Sequence, residues 1–416
     1  MVSAPQLSLV NFRKDMYILI EGKRDEARFF VIREGFVKIT RSVQIPAEDS
    51  QYVVGPGDFI GVVSSMSQRS QIETAQAVTD VTLLAVQRSQ FEGLIQFNTP
   101  VAIKIIQQFA RRMRFLNNAL SAFSSPTKTK TGSKNKDDTY EDMSGSLFLT
   151  GEYYHKLNML QQARYIYSRY TECYPLGEYA KQAEERAKTL IASKADSYEV
   201  GADKFIRFYR KNALVFAEGE FGQELYVLQK GAIKIIKVFK GKEVILAILK
   251  PGEIFGEMAI LDDKPRSASA VVMEGTVLMV LLKQNFESMA KQNPQIIARV
   301  TRMLSERIWF SDKQLTNAMI KNPLGRVYNY LEITLEKENV EQSKGNSHVF
   351  NFGTNELMKM AFIPPNDHKY ITNQLLDNSR VVGLYEGKIF AKNVDEVFKL
   401  GGYYRKMQER EDAKKH

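Results

Sequence analysis

The chain holds one cysteine, Cys173, in 416 residues, which excludes an internal disulfide and a thiolate metal cluster. Its four histidines, His155, His348, His368 and His416, are scattered without ligand spacing, so no metal is expected. No apolar run reaches the roughly 18 residues that span a bilayer. Residues 1–15 lack a charged segment followed by an apolar one, so no export signal is read and a cytoplasmic chain without a membrane partner is expected. There is no paired nucleophile and base and no phosphate loop ending in lysine, which sets an enzyme aside. The net charge of +10 is unevenly placed: residues 203–322 carry 19 basic and 13 acidic side chains, but residues 323–416 carry 14 and 13.

What is present is a long internal repeat. Leu19-Ile20-Glu21-Gly22 and Phe30-Val31-Ile32-Arg33-Glu34-Gly35 are answered by Phe216-Ala217-Glu218-Gly219 and Tyr226-Val227-Leu228-Gln229-Lys230-Gly231. Gly55-Pro56-Gly57-Asp58-Phe59-Ile60-Gly61 is answered by Lys250-Pro251-Gly252-Glu253-Ile254-Phe255-Gly256. Short β-branched and aromatic runs between glycine turns predict a strand-rich barrel in each copy. Each copy closes on a helical stretch, Pro100–Leu120 and Pro294–Met319, with proline suited to the first turn.

The stretch Gly256-Glu257-Met258-Ala259-Ile260-Leu261-Asp262-Asp263-Lys264-Pro265-Arg266-Ser267 carries the chemistry. Arg266 offers an always-charged donor fork suited to a phosphate. A short helix opening at Glu257-Met258-Ala259 would aim free amides at the same anion. Glu257 can accept from a ribose hydroxyl, and Gly256 permits close backbone approach. The whole string resembles the phosphate-binding cassette of the cyclic-nucleotide-binding domain family. Downstream, Asn293-Pro294-Gln295 through Asn322-Pro323-Leu324-Gly325-Arg326 is similar to the long helix and hinge of catabolite activator protein-like regulators. That resemblance implies a cyclic nucleotide ligand at Gly256, Glu257, Met258, Ala259, Arg266 and Ser267, with cyclic AMP favoured over cyclic GMP. It puts Ser311 and Asp312 where the family meets the purine amino group; Asp312 can accept from adenine and equally from guanine. It also implies a homodimer through residues 294–319, with Ile297, Val300, Leu304, Trp309 and Leu315 as a loosely heptad-like seam.

The first copy departs from the pattern. Val62 answers Glu257, and Arg266 is answered by Gln71 at the fixed offset or by Glu73 if Thr74-Ala75 sets the register. It reads as a degenerate sensor. Between the copies, residues 123–146 read as a flexible linker. Residues 147–195, with Tyr153, Tyr154, Ala163, Tyr167, Tyr170 and Ala183 at helical spacing, read as a helical hairpin that resembles a tetratricopeptide repeat and offers a site for a protein partner.

After Asn322, Thr354 can cap a helix from about Asn355 to Phe362. Pro364-Pro365 breaks it, and a second helix runs from about Asn366 to Asn378. Val381–Phe390 forms a two-stranded wing with a Glu-Gly turn. The resemblance implies a winged helix that enters the DNA major groove, with Asn366, His368, Lys369, Thr372, Asn373 and Gln374 as candidate base readers. That helix carries no arginine and the region is nearly neutral, which favours a protein-docking role as the alternative. The expected whole is an α+β multidomain chain. It comprises a degenerate sensor (1–122), a linker (123–146), a helical hairpin (147–195), a cyclic-nucleotide-binding domain with its long helix (203–322) and a winged helix (323–402). Both sensors are expected to be jelly-roll barrels. The expected function is a ligand-gated transcription regulator, or else a ligand-responsive protein-interaction sensor.

Overall fold

The computed structural model describes residues 7–24, 27–41, 51–97, 99–123, 143–190, 198–201, 205–261, 263–284 and 294–413. The chain divides into two compact units, one of residues 1–119, 284–319 and 333–339, the other of residues 120–283, 320–332 and 340–416.

The first unit carries strands β1 (Ser8–Phe12), β2 (Tyr17–Leu19), β3 (Arg28–Glu34), β4 (Val37–Thr40), β5 (Gln51–Val54), β6 (Phe59–Ile60), β7 (Thr74–Ala77) and β8 (Val81–Gln87). They form two antiparallel sheets, β1-β8-β3-β6 and β2-β7-β4-β5. Helix α1 (Val62–Ser67) follows β6, and α2 (Phe91–Phe97) and α3 (Thr99–Phe123) follow β8. Inward residues of both sheets, among them Leu19, Phe30, Ile32, Val37, Ile39 and Leu83, share one core. Burying each such side chain is worth roughly 1.5–3 kcal/mol before chain entropy is counted.

The three helices that follow in sequence open the second unit: α4 (Met143–Lys156), α5 (Leu160–Cys173) and α6 (Ala180–Thr189). The expected hairpin is therefore three helices long. Gly151 lets α4 and α5 close up, since a Cβ there would lie 2.7 Å from the Tyr167 ring. The expected linker falls, except for its ends, on residues outside those described; α4 already begins at Met143.

The second copy repeats the first. Strands β9 (Tyr198–Val200), β10 (Ile206–Tyr209), β11 (Leu214–Phe216), β12 (Glu224–Lys230), β13 (Ile233–Phe239), β14 (Lys242–Leu249), β15 (Ile254–Phe255), β16 (Ser269–Val272) and β17 (Thr276–Leu282) make sheets β15-β12-β17-β10-β9 and β11-β16-β13-β14. Helix α7 (Glu257–Leu261) stands where α1 stands in the first copy. The agreement reaches single residues. β3 and β12 have the same burial alternation. The β3–β8 ladder slips between Ile32 and Glu34, and the β12–β17 ladder slips at the matching place, between Leu228 and Lys230. Neither copy closes as the expected barrel. Among the described residues each copy is two separate open sheets, with β1, β6, β2 and β5 at the edges in the first and β15, β9, β11 and β14 in the second.

Helix α8 (Pro294–Ala318) follows the second sensor in sequence but belongs to the unit of the first. It packs on α1 and α2. Ile297, Val300, Leu304, Trp309 and Leu315, the expected homodimer seam, are all buried within the single chain. The helical period was legible, but the surface that covers the apolar face is intramolecular.

The C-terminal part holds α9 (Pro323–Lys337), β18 (His348–Val349), α10 (Thr354–Met360), α11 (His368–Asp377), β19 (Val382–Tyr385), β20 (Lys388–Ala391) and α12 (Val394–Ala413). The sheet order is β18-β20-β19, one strand more than expected. The Glu-Gly turn is present, with Glu386 and Gly387 both left-handed at φ 48° and 76°. Thr354 is not the cap expected; Gly353 holds that position and its N–H donates to Glu356 Oε2 at 3.2 Å. Pro365–Asp367 forms a single 3₁₀ turn, so α11 starts at His368, two residues later than expected.

Candidate functional site

The candidate cassette of the second copy is built where β15 ends. Gly256 turns the chain with φ +79°, and α7 starts at once with Glu257. Any larger residue would fail there twice, on backbone strain and because a Cβ would sit 2.8 Å from Arg266 Nη1. Glu257 and Arg266 are 1% and 3% exposed, an unusual burial for a glutamate and an arginine. The Arg266 fork is anchored: Nη1 donates to Gly256 O at 2.6 Å and Nη2 to Glu224 O at 2.7 Å. Its Cζ lies 4.2 Å from the Phe216 ring centroid. Nε is buried and has no hydrogen-bond partner. Ser267 Oγ donates to Met258 Sδ at 3.7 Å, and Ala259 is buried on the inner side of α7. Gly256, Glu257, Met258 and Ala259 thus stand on the turn and α7, and Arg266 and Ser267, on the segment leading into β16, reach back to Gly256 and Met258.

Backbone hydrogen bonds fix the register between the copies. Gly219 N donates to Arg266 O and Arg266 N to Glu220 O, both at 2.9 Å. In the first sensor Gly22 N donates to Gln71 O and Gln71 N to Lys23 O, both at 2.8 Å. Gln71, not Glu73, is therefore the counterpart of Arg266. Glu73 lies instead 3.6 Å from Arg41. With Val62 buried where Glu257 stands, the first copy lacks both charged members of the cassette.

Sequence reasoning missed the wall behind Arg266. The loop Gly219–Phe221 is held by α5. Tyr165 donates to Glu220 Oε2 at 3.0 Å, and Arg169 reaches the same carboxylate at 3.5 Å and Phe221 O at 3.2 Å. Tyr174 donates to Gly219 O at 2.6 Å. Burial pushes the Glu220 carboxyl above its usual range, against the pull of Arg169 and Arg266. Burial and the Glu220 charge likewise raise the Tyr165 hydroxyl. The available signal was Tyr165 and Arg169, one helical turn apart and both half-buried on α5. Two flanking carboxylates are ion-paired as well. Lys237 sits 2.7 Å from Glu218 with both side chains buried. Arg207 grips Glu224 with both nitrogens at 2.8 and 2.6 Å; against the burial cost, this grip holds the Glu224 carboxyl below its usual range.

Ser311 and Asp312 are buried in α8, in the first unit. The Asp312 carboxylate accepts a hydrogen bond from Arg41, with Arg112 3.9 Å away. Its expected purine-reading capacity is already filled by a guanidinium 271 residues away in sequence. Burial still leaves the Asp312 carboxyl raised.

The six candidate base readers are spread over the 3₁₀ turn and α11. Asn366 lies exposed on the turn rather than on the helix. His368 Nε2 is 2.9 Å from Ile363 O, which ties it to the chain. Gln374 donates to Tyr370 at 2.9 Å. Lys369 and Asn373 are exposed, and Thr372 is half-buried. The C-terminal part touches the second sensor through Lys359, 3.2 Å from Glu243, which also receives Lys234 at 2.6 Å. No group of three or more histidine, cysteine or carboxylate side chains that could hold a metal is found among the described residues. No helix among them is long and apolar enough to cross a membrane.

Two segments, residues 9–98 and 206–293, match the family described as the cyclic nucleotide-binding domain. The chain therefore carries two such domains. It is 33% identical over 122 residues to the cyclic AMP receptor protein of Thermus thermophilus, covering 29% of this chain and 56% of that protein. It is 32% identical over 114 residues to the CRP-like cAMP-activated global transcriptional regulator of Mycobacterium tuberculosis, covering 27% and 51%. The chain spans about half the length of these curated relatives, the first named as a receptor protein and the second as a transcriptional regulator. Among solved structures, a CRP-family transcriptional regulator of T. thermophilus aligns with a TM-score of 0.38 at 15% identity, covering 47% of this chain and 96% of that one.

Proposed function

We propose that this chain, with its two cyclic nucleotide-binding domains, is a regulator in which a cyclic nucleotide bound by the second domain controls the C-terminal helical part. The observation that carries this reading is the cassette Gly256–Ser267, with Glu257 and Arg266 buried together at a glycine turn. A cyclic phosphate entering there would draw the Arg266 fork from two neutral carbonyls to an anion. That exchange favours the bound state, because a charge-assisted bidentate contact is stronger than a neutral one. Glu257 would accept from the ribose, with Met258, Ala259 and Ser267 lining the phosphate side. Cyclic AMP is the ligand favoured by the relatives' names. DNA is the proposed partner of the C-terminal part, with Lys369 and Asn373 the best-exposed candidates on α11.

A second reading is favoured by the docking of Tyr165, Arg169 and Tyr174 on the loop behind Arg266. A fork that moves on binding would disturb this docking and release the α4–α6 helices toward a protein partner.

Calorimetric titration of the wild type and of Glu257→Gln with cyclic AMP and cyclic GMP tests the site. Saturable binding weakened at least about tenfold in the variant is expected, since a hydrogen bond to a charged group is worth roughly 1.5–3 kcal/mol. Absence of binding by either nucleotide removes the reading. Anisotropy of a labelled mixed-sequence duplex at low salt then separates the outputs: a ligand-dependent rise supports DNA, and none with or without ligand favours the protein-docking alternative.

A further inference from the structure

The first sensor has lost its nucleotide pair, yet it contains a cavity of about 150 Å³ that the second sensor does not reproduce chemically. Arg24, Arg69, Arg88, Ser64, Ser65 and Gln71 line it, and none of the described lining residues is acidic. The backbone pairing that matches Gln71 to Arg266 also matches the remainder of the lining. Arg88 N donates to Ala27 O as Lys283 N donates to Gln223 O, which makes Arg88 and Lys283 counterparts. Arg24, two residues beyond Gly22, stands where Phe221 stands beyond Gly219. Ser64 and Ser65 replace Ala259 and Ile260 on the cassette helix, and Arg69 replaces Lys264.

In the second copy this place is satisfied apart from Arg266 Nε: Ile260 is buried, Lys283 pairs with Asp263 at 2.8 Å, and Phe221 packs on the Tyr174 ring at 5.6 Å. In the first copy apolar packing has been exchanged for hydroxyls and guanidinium groups that find too few partners. Ser65 is 4% exposed and its Oγ has no hydrogen-bond partner. Gln71 is 3% exposed with Oε1 unpartnered, and Arg88 Nη1 is buried without one. Buried polar atoms left unmade cost free energy, and most native ones are satisfied. Cations converging on an orphaned hydroxyl specify the missing group: an acceptor bearing negative charge, small enough for the cavity.

We infer that the first sensor binds a compact oxyanion, a phosphate or carboxylate group, held by Arg24, Arg69 and Arg88 with Ser65 donating to it. The site does not need the second cassette, so it stands whether or not that cassette holds a nucleotide. It has a built-in reporter. Arg69 Cζ lies 5.4 Å from the ring centroid of Trp309, the only tryptophan in the chain, and its Nη2 donates to Lys337 O at 3.0 Å. An anion that draws Arg69 changes its contacts to α8 and to the end of α9.

The test follows Trp309 fluorescence of the full chain during titration with inorganic phosphate, with succinate and with cyclic AMP, at constant ionic strength made up with chloride. Wild type is compared with Arg24→Gln, at an exposed position, and with Arg88→Gln; circular dichroism reports folding. A saturable change with phosphate or succinate, with its midpoint raised at least about tenfold in both variants, is the expected result, and the more effective anion identifies the source. The inference is overturned if neither anion gives a saturable change, if the change survives unaltered in both folded variants, or if only cyclic AMP titrates the Arg24- and Arg88-dependent signal.

Discussion

Replacing Arg266 with alanine should weaken both the second domain and its hold on a cyclic nucleotide, and the two losses can be measured apart. Without ligand the guanidinium braces Gly256 O and Glu224 O and covers the Phe216 ring. Each hydrogen bond from a charged donor is worth roughly 1.5–3 kcal/mol. The ring contact adds about 0.5–2 kcal/mol. These terms overlap, and water entering the vacated space recovers part of them, so a net loss on the order of 3–5 kcal/mol is expected. For a unit of this size, about 2–4 °C is lost per kcal/mol, so the melting transition should fall by on the order of 10 °C. Arg266→Lys keeps the charge but not the fork; it can satisfy one carbonyl and should lose about half as much. Scanning calorimetry checks this without ligand. A saturating nucleotide at 100 times its Kd should then stabilise the wild type by about 2.7 kcal/mol, and the alanine variant by much less. An alanine variant that melts at the wild-type temperature refutes the bracing role. One that gains the full ligand increment refutes the site.

Gly256→Ala should cost at least about 1–2 kcal/mol from its left-handed backbone alone, and should weaken nucleotide binding by displacing the Arg266 fork; equal urea midpoints for the two proteins would argue against it. Tyr165→Phe removes a donor from the buried Glu220 carboxylate and should cost roughly 1.5–3 kcal/mol. It should also speed proteolytic cleavage of the α4–α6 helices, and unchanged digestion would count against the docking described. Glu243 is held below the usual carboxylate range: burial raises it, but Lys234 and Lys359 outweigh burial. A depressed carboxyl contributes stability that is present above its unfolded pKa, about 4.3, and lost as pH falls through the folded value. Acid titration of wild type should therefore show a loss of stability below about pH 4.5 that Glu243→Gln reduces; coincident pH profiles would refute this. Asp312→Asn removes one carboxylate partner of Arg41 while Glu73 remains 3.6 Å away, and should destabilise the first unit by roughly 1.5–3 kcal/mol, read from Trp309 fluorescence in denaturant.

The repeat, the strands and their glycine turns, and the turn and short helix at 256–261 were legible in the sequence because they rest on local rules. Alternation with period two marks a half-buried strand, and a left-handed turn calls for glycine. These rules act within a few residues, so β3 and β12 share their alternation and even their bulge. The absence of the charged pair from the first copy was equally plain, since Val62 cannot accept a hydrogen bond through its side chain.

The tertiary structure decided what covers each face. The apolar stripe of α8 reads alike whether it meets a second copy or the first sensor of the same chain, since periodicity names the face and not its cover. Burial of Trp309 and pairing of Asp312 with Arg41 answer that question through contacts more than 200 residues apart. Burial of Glu220 under Tyr165, and the cavity between Arg24 and Arg88, depend on the same kind of long-range closure. The choice between Gln71 and Glu73 was settled by two backbone hydrogen bonds, because only strand pairing, and not the spacing of side chains, defines which residue stands opposite which.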